Sequence, residues 1–88
     1  MNPSHTSSLA TKLALLFETM LEIDIHVNGA QKHFDNVDTV ADLLFQLGRG
    51  DVPCAVEVNE QLVPKSKHAL HQLRQGDRVE LVTLVGGG

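Results

Sequence analysis

The chain has 88 residues, a formal net charge of −4 and a single cysteine. A chain of this length forms one domain and buries only about 60% of its unfolded surface, which argues against a large enclosed active site. Its acidic balance argues against nucleic acid as the main partner. No apolar run approaches the roughly 20 residues of a membrane-spanning helix. One cysteine excludes an internal disulfide framework and fits a reducing, cytoplasmic compartment.

Residues 1–19 differ from the rest of the chain. Their one basic residue is Lys12 and they contain no arginine, so they match neither a secretory signal nor a mitochondrial transit peptide. Residues 9–17 could form two helical turns. We predict that residues 1–19 are a dispensable extension and that residues 20–85 form the domain; a helix packed on the domain or on a partner is the alternative.

A hairpin is predicted at the start of this domain. Every second residue from 21 to 27 is apolar, as in a strand with one buried face. Asn28 and Gly29 follow, and this pair is typical of a type I′ turn because both of its central residues need a positive φ. Residues 30–34 would be the returning strand, with Phe34 closing on the core.

A short amphipathic helix is predicted next. Thr39, with Asp42 three residues later, favours a helix start with a capping box. Gly48 suits the position just after the helix. The apolar residues of the helix fall on one stripe, namely Val40, Leu43, Leu44 and Leu47. This stripe must be buried, and the inner face of the hairpin is the available partner.

Three strands complete the predicted domain. They cover residues 54–58, 62–64 and 78–84. Pro64 ends the second of them as a short edge strand, because it cannot donate a ladder hydrogen bond. Between the last two strands, residues 65–75 are expected to form an irregular helical turn anchored by Leu70 and Leu73.

The last strand carries the first candidate site. One face is expected to lie in the core, with Val79, Leu81 and Thr83. Val82 and Leu84 would then face outward, and we predict that they form a partner-binding patch together with Val85.

The sequence closes on three glycines, Gly86, Gly87 and Gly88. Glycine has no side chain, so this flexible tail could enter a channel too narrow for other residues. It would reach about 10 Å. The α-carboxylate of Gly88 is its distinctive chemical group, and it is suited to activation inside another protein's active site. A frayed end without function is the alternative.

The predicted element order is β-β-α-β-β-β. The two terminal strands can lie parallel in the centre of one sheet while the helix crosses one face. We therefore predict an α+β fold of the ubiquitin-like β-grasp type, a mixed sheet of about five strands with one main helix.

From residue 23 to residue 88 the sequence resembles the ThiS sulfur carriers of thiamin biosynthesis. The matching pieces are Val27-Asn28-Gly29, Thr39-Val40-Ala41-Asp42-Leu43-Leu44, Val58-Asn59, Val63-Pro64-Lys65, Gly76-Asp77-Arg78-Val79-Glu80 and the final Gly87-Gly88. Gly86 is a departure that lengthens the tail.

The resemblance implies a protein-borne sulfur donor that is not itself an enzyme. A ThiF-type adenylyltransferase would use ATP to adenylate the carboxylate of Gly88, and a sulfur donor protein would convert it to a thiocarboxylate. Thiazole synthase would then take the sulfur. No cofactor would be stably bound by this chain, and it would bind no metal, nucleic acid or membrane.

Other interpretations stay open. The small subunit of molybdopterin synthase shares the fold and the chemistry, and a ubiquitin-like modifier would instead be joined to lysines through Gly88. A passive interaction domain would leave the tail without chemistry. Cys54 is expected to be a small core residue rather than a persulfide carrier. His68 and His71 could share a helical face and bind metal, but are expected to be ordinary surface histidines.

Overall fold

The computed structural model describes residues 9–16 and 22–84, and its domain is built on a five-stranded mixed sheet. The strands are β1 (Ile23–Val27), β2 (Ala30–Phe34), β3 (Cys54–Val58), β4 (Gln61–Val63) and β5 (Arg78–Thr83). Their order across the sheet is β2-β1-β5-β3-β4. β1 and β5 are parallel, and the other neighbouring strands are antiparallel. This is the β-grasp arrangement that the element order predicts.

Two tight turns set the register of the outer strands. Asn28 and Gly29 have φ angles of 51° and 85°, which confirms the predicted turn of the first hairpin. The second hairpin, between β3 and β4, uses Asn59 and Glu60, with φ angles of 51° and 68°. Because this turn contains only two residues, Gln61 already belongs to β4.

The chain has a short helix over residues 9–16, here α1, and a second helix, α2 (Val40–Gln46), which crosses the buried side of the sheet and begins at the predicted capping box. The amide of Asp42 donates to the hydroxyl of Thr39 (3.2 Å), and a carboxylate oxygen of Asp42 accepts from the amides of Thr39 and Asp38 (3.0 Å each). Partial burial raises the pKa of the Asp42 carboxyl, but these donors outweigh it and leave the pKa below its usual value. Gly48, with φ 72°, follows the helix as predicted.

The core lies between α2 and the inner face of the sheet. Its buried members are Ile23, Ile25, Val27, Phe34, Val37, Val40, Leu43, Leu44, Val56, Val58, Val63, Leu73, Val79 and Leu81. Leu47 and Cys54 are partly buried and pack against this cluster. The predicted stripe of α2 and the predicted core face of β5 are thus confirmed, with the exception of Thr83.

The core positions predicted for two residues are wrong. Leu70 is 71% exposed, because it lies in a surface turn in which its amide donates to the carbonyl of Lys67. Leu73 is the real anchor, and its amide donates to the carbonyl of Asp38 beside α2 (2.8 Å). Thr83 is also exposed; it is the last residue of β5.

The segment after β4 covers the start of α2. It opens with a 3₁₀ turn (Lys65–Lys67), and the carbonyls of His68 and His71 accept from the first amides of α2 at 2.9 and 3.0 Å. His68 is only 8% exposed, and its Nε2 donates to the carbonyl of Val63 at 3.0 Å. The expectation that His68 is a surface histidine is therefore wrong.

Helix α1 covers residues 9–16. Its leucines Leu9, Leu13, Leu15 and Leu16 are 56–65% exposed. None of the described helices is long and apolar enough to cross a membrane. The predicted boundary at residue 20 falls outside the described residues, so the dispensability of residues 1–19 stays a prediction.

Candidate functional site

β5 carries the candidate site, and the structure places its predicted faces. Val79 and Leu81 are 1% and 5% exposed, whereas Val82 and Leu84 are 60% and 52% exposed. The outward placement of Val82 and Leu84 is therefore confirmed. Val85, Gly86, Gly87 and Gly88 lie outside the described residues.

The surface around Val82 and Leu84, here called the docking patch, is one part of the outer face of the sheet. Val82 lies opposite Ala55 of β3, and Glu80 lies opposite Glu57 in the next row. The patch is therefore apolar at the end of β5 that leads to the tail and acidic one row further back. Such a small apolar area with a charged border is suited to docking a protein partner.

Leu62 of β4 adds to this outer face. It lies opposite Glu57 and is 68% exposed. Sequence reasoning named it only as part of an edge strand. Its alternation with the buried Val63 was the signal that places it on the outer side.

Asparagine side chains hold β5 at two points. Asn28 accepts from the amide of Leu81 at 2.8 Å and donates to its carbonyl at 3.3 Å. Asn59 accepts from the amide of Arg78 and donates to the carboxylate of Asp77, at 2.9 Å each. Sequence reasoning used both asparagines only as turn residues, although a short amide in a left-handed turn is free to bond a neighbouring backbone.

An exposed ion-pair network joins β1 and β2 at the β2 edge of the sheet. Nδ1 of His33 lies 2.8 Å from the carboxylate of Asp24, and its Nε2 lies 3.1 Å from that of Asp35 and 3.8 Å from that of Glu22. Hydrogen bonds to Asp24 and then Asp35 raise the pKa of His33. Hydrogen bonds from Gln75 and then His33 lower the pKa of Asp24.

Three side chains in and beside this network could together bind a metal ion. The ligand atoms of Glu22, His33 and Asp35 lie within 4.8 Å of one another. All three side chains are exposed, and the contacts of His33 with the two carboxylates account for their approach without an ion. The expectation of no metal stays a prediction.

Cys54 is half-buried and packs against the core, as the sequence predicted. It borders an open cleft of about 270 Å³ that Lys65 and His68 also line. The cleft lies at the start of β3.

Comparison with known proteins decides the family. The sequence model of the ThiS family matches residues 25–88. The chain belongs to the ThiS family. The resemblance seen in the sequence motifs is thereby confirmed, and the matched region contains the whole sheet from the middle of β1 onward together with the glycine tail.

Three relatives are informative. The chain is 36% identical to the sulfur carrier protein ThiS of Escherichia coli over 50 residues, which are 57% of this chain and 76% of that protein. It is 40% identical over 62 residues to a thiazole synthase of Paramagnetospirillum magneticum, covering 70% of this chain and 19% of that protein. A thiazole synthase of Magnetococcus marinus is 33% identical over 64 residues, covering 73% and 20%. The chain thus spans about a fifth of the two synthases.

The fold is shared with a solved ThiS structure. The crystal structure of the thiamine biosynthesis protein ThiS from Geobacter metallireducens has a TM-score of 0.63 and 26% sequence identity to this chain. The match covers 75% of this chain and all of that one. This similarity supports the assignment of the ubiquitin-like β-grasp fold.

Proposed function

We propose that this protein is the sulfur carrier of thiamin biosynthesis and that it carries sulfur as a thiocarboxylate on Gly88. The observation that carries the proposal is the ThiS family match, which runs through β5 and the glycine tail to residue 88. The function named for the E. coli relative supports the same interpretation.

The chemistry follows from the weakness of a carboxylate as an electrophile. Attack of a carboxylate oxygen of Gly88 on the α-phosphorus of ATP would form an acyl-adenylate and release pyrophosphate. Hydrosulfide supplied by the donor would then attack the acyl carbon and expel AMP, and loss of its proton leaves a thiocarboxylate. The sequence contains no GxxxxGK[ST] phosphate loop, so a ThiF-type partner would hold the ATP. The carrier is then a protein-borne substrate that contributes position and recognition.

Thiazole synthase is the proposed acceptor of the sulfur. Two proteins with that name contain a region 33–40% identical to this chain within about a fifth of their length. A carrier-like region within a synthase polypeptide supports a direct encounter between the two activities, because a covalent link raises their effective concentration.

Intact-mass spectrometry tests the proposal. The full chain is incubated with ATP, a ThiF-type enzyme and a sulfur donor, and then with thiazole synthase. The expected result is replacement of one oxygen by sulfur at Gly88, dependent on ATP, followed by loss of that sulfur to thiazole synthase. Isopeptide linkage of Gly88 to lysines would support a protein modifier instead. A thiocarboxylate that serves only molybdopterin synthesis would refute the assignment to thiamin biosynthesis, but the proposed chemistry at Gly88 would stand.

A further inference from the structure

We propose that Asn28 is a positioning residue: its carboxamide fixes the end of β5 from which the tail leaves, and so sets how Gly88 is presented to the activating enzyme. The inference rests on the proposed function above. β5 is paired unequally with its two neighbouring strands.

The ladder between β1 and β5 is short. It contains the pairs His26–Arg78 and Val27–Val79, and it ends with the amide of Asn28 donating to the carbonyl of Val79 at 2.9 Å. β3, in contrast, accompanies β5 as far as Thr83. Among residues 22–84, the strand after Val79 therefore has a regular neighbour on the β3 side and none on the β1 side.

Leu81 is the residue most affected by this missing neighbour. Its side chain is 5% exposed, and its amide and carbonyl face the side where β1 has ended. Buried backbone groups need hydrogen-bond partners. The carboxamide of Asn28 satisfies both groups of Leu81, at 2.8 and 3.3 Å, and so acts as a one-residue extension of the β1 edge.

The position of this clamp links it to the tail. Leu81 lies between the last residue paired with β1 and Leu84, whose amide donates to the carbonyl of Pro53 at 2.8 Å. The end of β5 is thus held by Asn28 on one side and by β3 on the other. Loss of one side would let the strand end tilt, and a shift of about 1 Å in a reacting group can slow a reaction roughly 100-fold.

Asn59 provides a matched control. It occupies the same position in the other hairpin turn, with the same φ of 51°, and its carboxamide also makes two hydrogen bonds to the β5 segment. Those bonds hold Asp77 and Arg78, at the start of the strand. The two asparagines therefore differ in which end of β5 they hold.

The experiment compares Asn28→Gly with Asn59→Gly in the full chain. Glycine accepts the positive φ of both turns, and each substitution removes the same side chain with its carboxamide. Both variants should lose about 4–8 °C in Tm. Asn28→Gly should lower the kcat of thiocarboxylate formation at least about tenfold with KM within about twofold, because the docking patch is intact. Asn59→Gly should change kcat less than about twofold.

Two further readouts separate positioning from stability. Amide exchange at Leu81 should accelerate more in Asn28→Gly than in Asn59→Gly, because both variants lose global stability but only the first loses the acceptor of the Leu81 amide. Asn28→Asp keeps an acceptor for the Leu81 amide and should recover part of the rate. It is also the variant to compare with the wild type if Asn28→Gly does not fold. Equal kcat values for the two glycine variants, or equal exchange rates at Leu81 in both, would overturn the inference. A wild-type chain that no activating enzyme modifies would instead refute the proposed function, and Leu81 exchange would then test the clamp by itself.

Discussion

The amide of Leu84 donates a hydrogen bond of 2.8 Å to the carbonyl of Pro53, so the sheet holds the chain one residue beyond the end of β5. This bond uses only backbone atoms, and the Leu84 side chain stays 52% exposed. The residue therefore combines a fixed main chain with an available apolar side chain at the base of the tail.

Removal of Gly88 should block activation. The tail would lose about 3.3–3.6 Å of reach, and we expect the rate of thiocarboxylate formation to fall roughly 100-fold or more. Gly88→Ala keeps the length and adds a methyl group, so it should be impaired less. Intact-mass time courses measure both, with thermal unfolding as the control because the fixed main chain extends to Leu84. Wild-type rates for the shortened chain would contradict the assignment of Gly88 as the tip.

Leu84→Asp should weaken docking without unfolding the protein. An exposed site of this kind changes stability by no more than about 0.5 kcal/mol, whereas loss of a central apolar contact raises KM about tenfold. Leu70→Asp is the matched control, because Leu70 is 71% exposed and lies outside the patch. Steady-state adenylation and circular dichroism give the two readouts. Equal KM values for both variants would show that the patch is not part of the binding surface. Loss of the folded circular dichroism spectrum would mean that Leu84 supports the core.

A chain that begins at Met20 should be as stable as the full chain. The leucines of α1 are 56–65% exposed, and the buried cluster contains residues from Ile23 onward. We expect the Tm to change by less than about 4 °C, which corresponds to less than roughly 1 kcal/mol in a domain of this size. Calorimetry of the two chains at equal concentration measures the difference in Tm. A larger decrease in Tm for the shortened chain would mean that residues 1–19 contribute to the stability of the fold.

The His33 network should respond to pH. The pKa of His33 is raised by Asp24 and Asp35, so the folded state binds the histidine proton more tightly than the unfolded state. The resulting stability is fully present below the ordinary histidine pKa of 6.5 and is lost as pH rises through the raised pKa. Proton NMR titration should show a pKa above 6.5 in the wild type and a lower value in Asp24→Asn. An identical titration in the two proteins would contradict the pairing.

Asp24, the acidic partner in the same network, gives the opposite dependence of stability on pH. The pKa of Asp24 is lowered by Gln75 and His33, so its contribution is present above about 3.8 and disappears as pH falls through the lowered value. The ion pair is thus most favourable between the titration ranges of the two partners. Because both groups are exposed, solvent screens the pair and its effect on stability is small.

Local sequence patterns determined most of the secondary structure. The alternation before Asn28, the Asn28-Gly29 turn and the Thr39–Asp42 capping box each act through residues a few positions apart, so the sequence contains all of their partners. The same reasoning placed Val82 and Leu84 outward, because side chains alternate along a strand. The glycine tail was readable for a related reason, since it depends on composition rather than on contacts.

Tertiary structure decided what depends on partners distant in the sequence. His68 is buried because its ring reaches the carbonyl of Val63 and its backbone covers the start of α2. Asn28 and Asn59 become clamps on β5 only once the central strand lies between both hairpins. Periodicity distinguishes the faces of an element, but it does not specify which remote backbone group a polar side chain will meet.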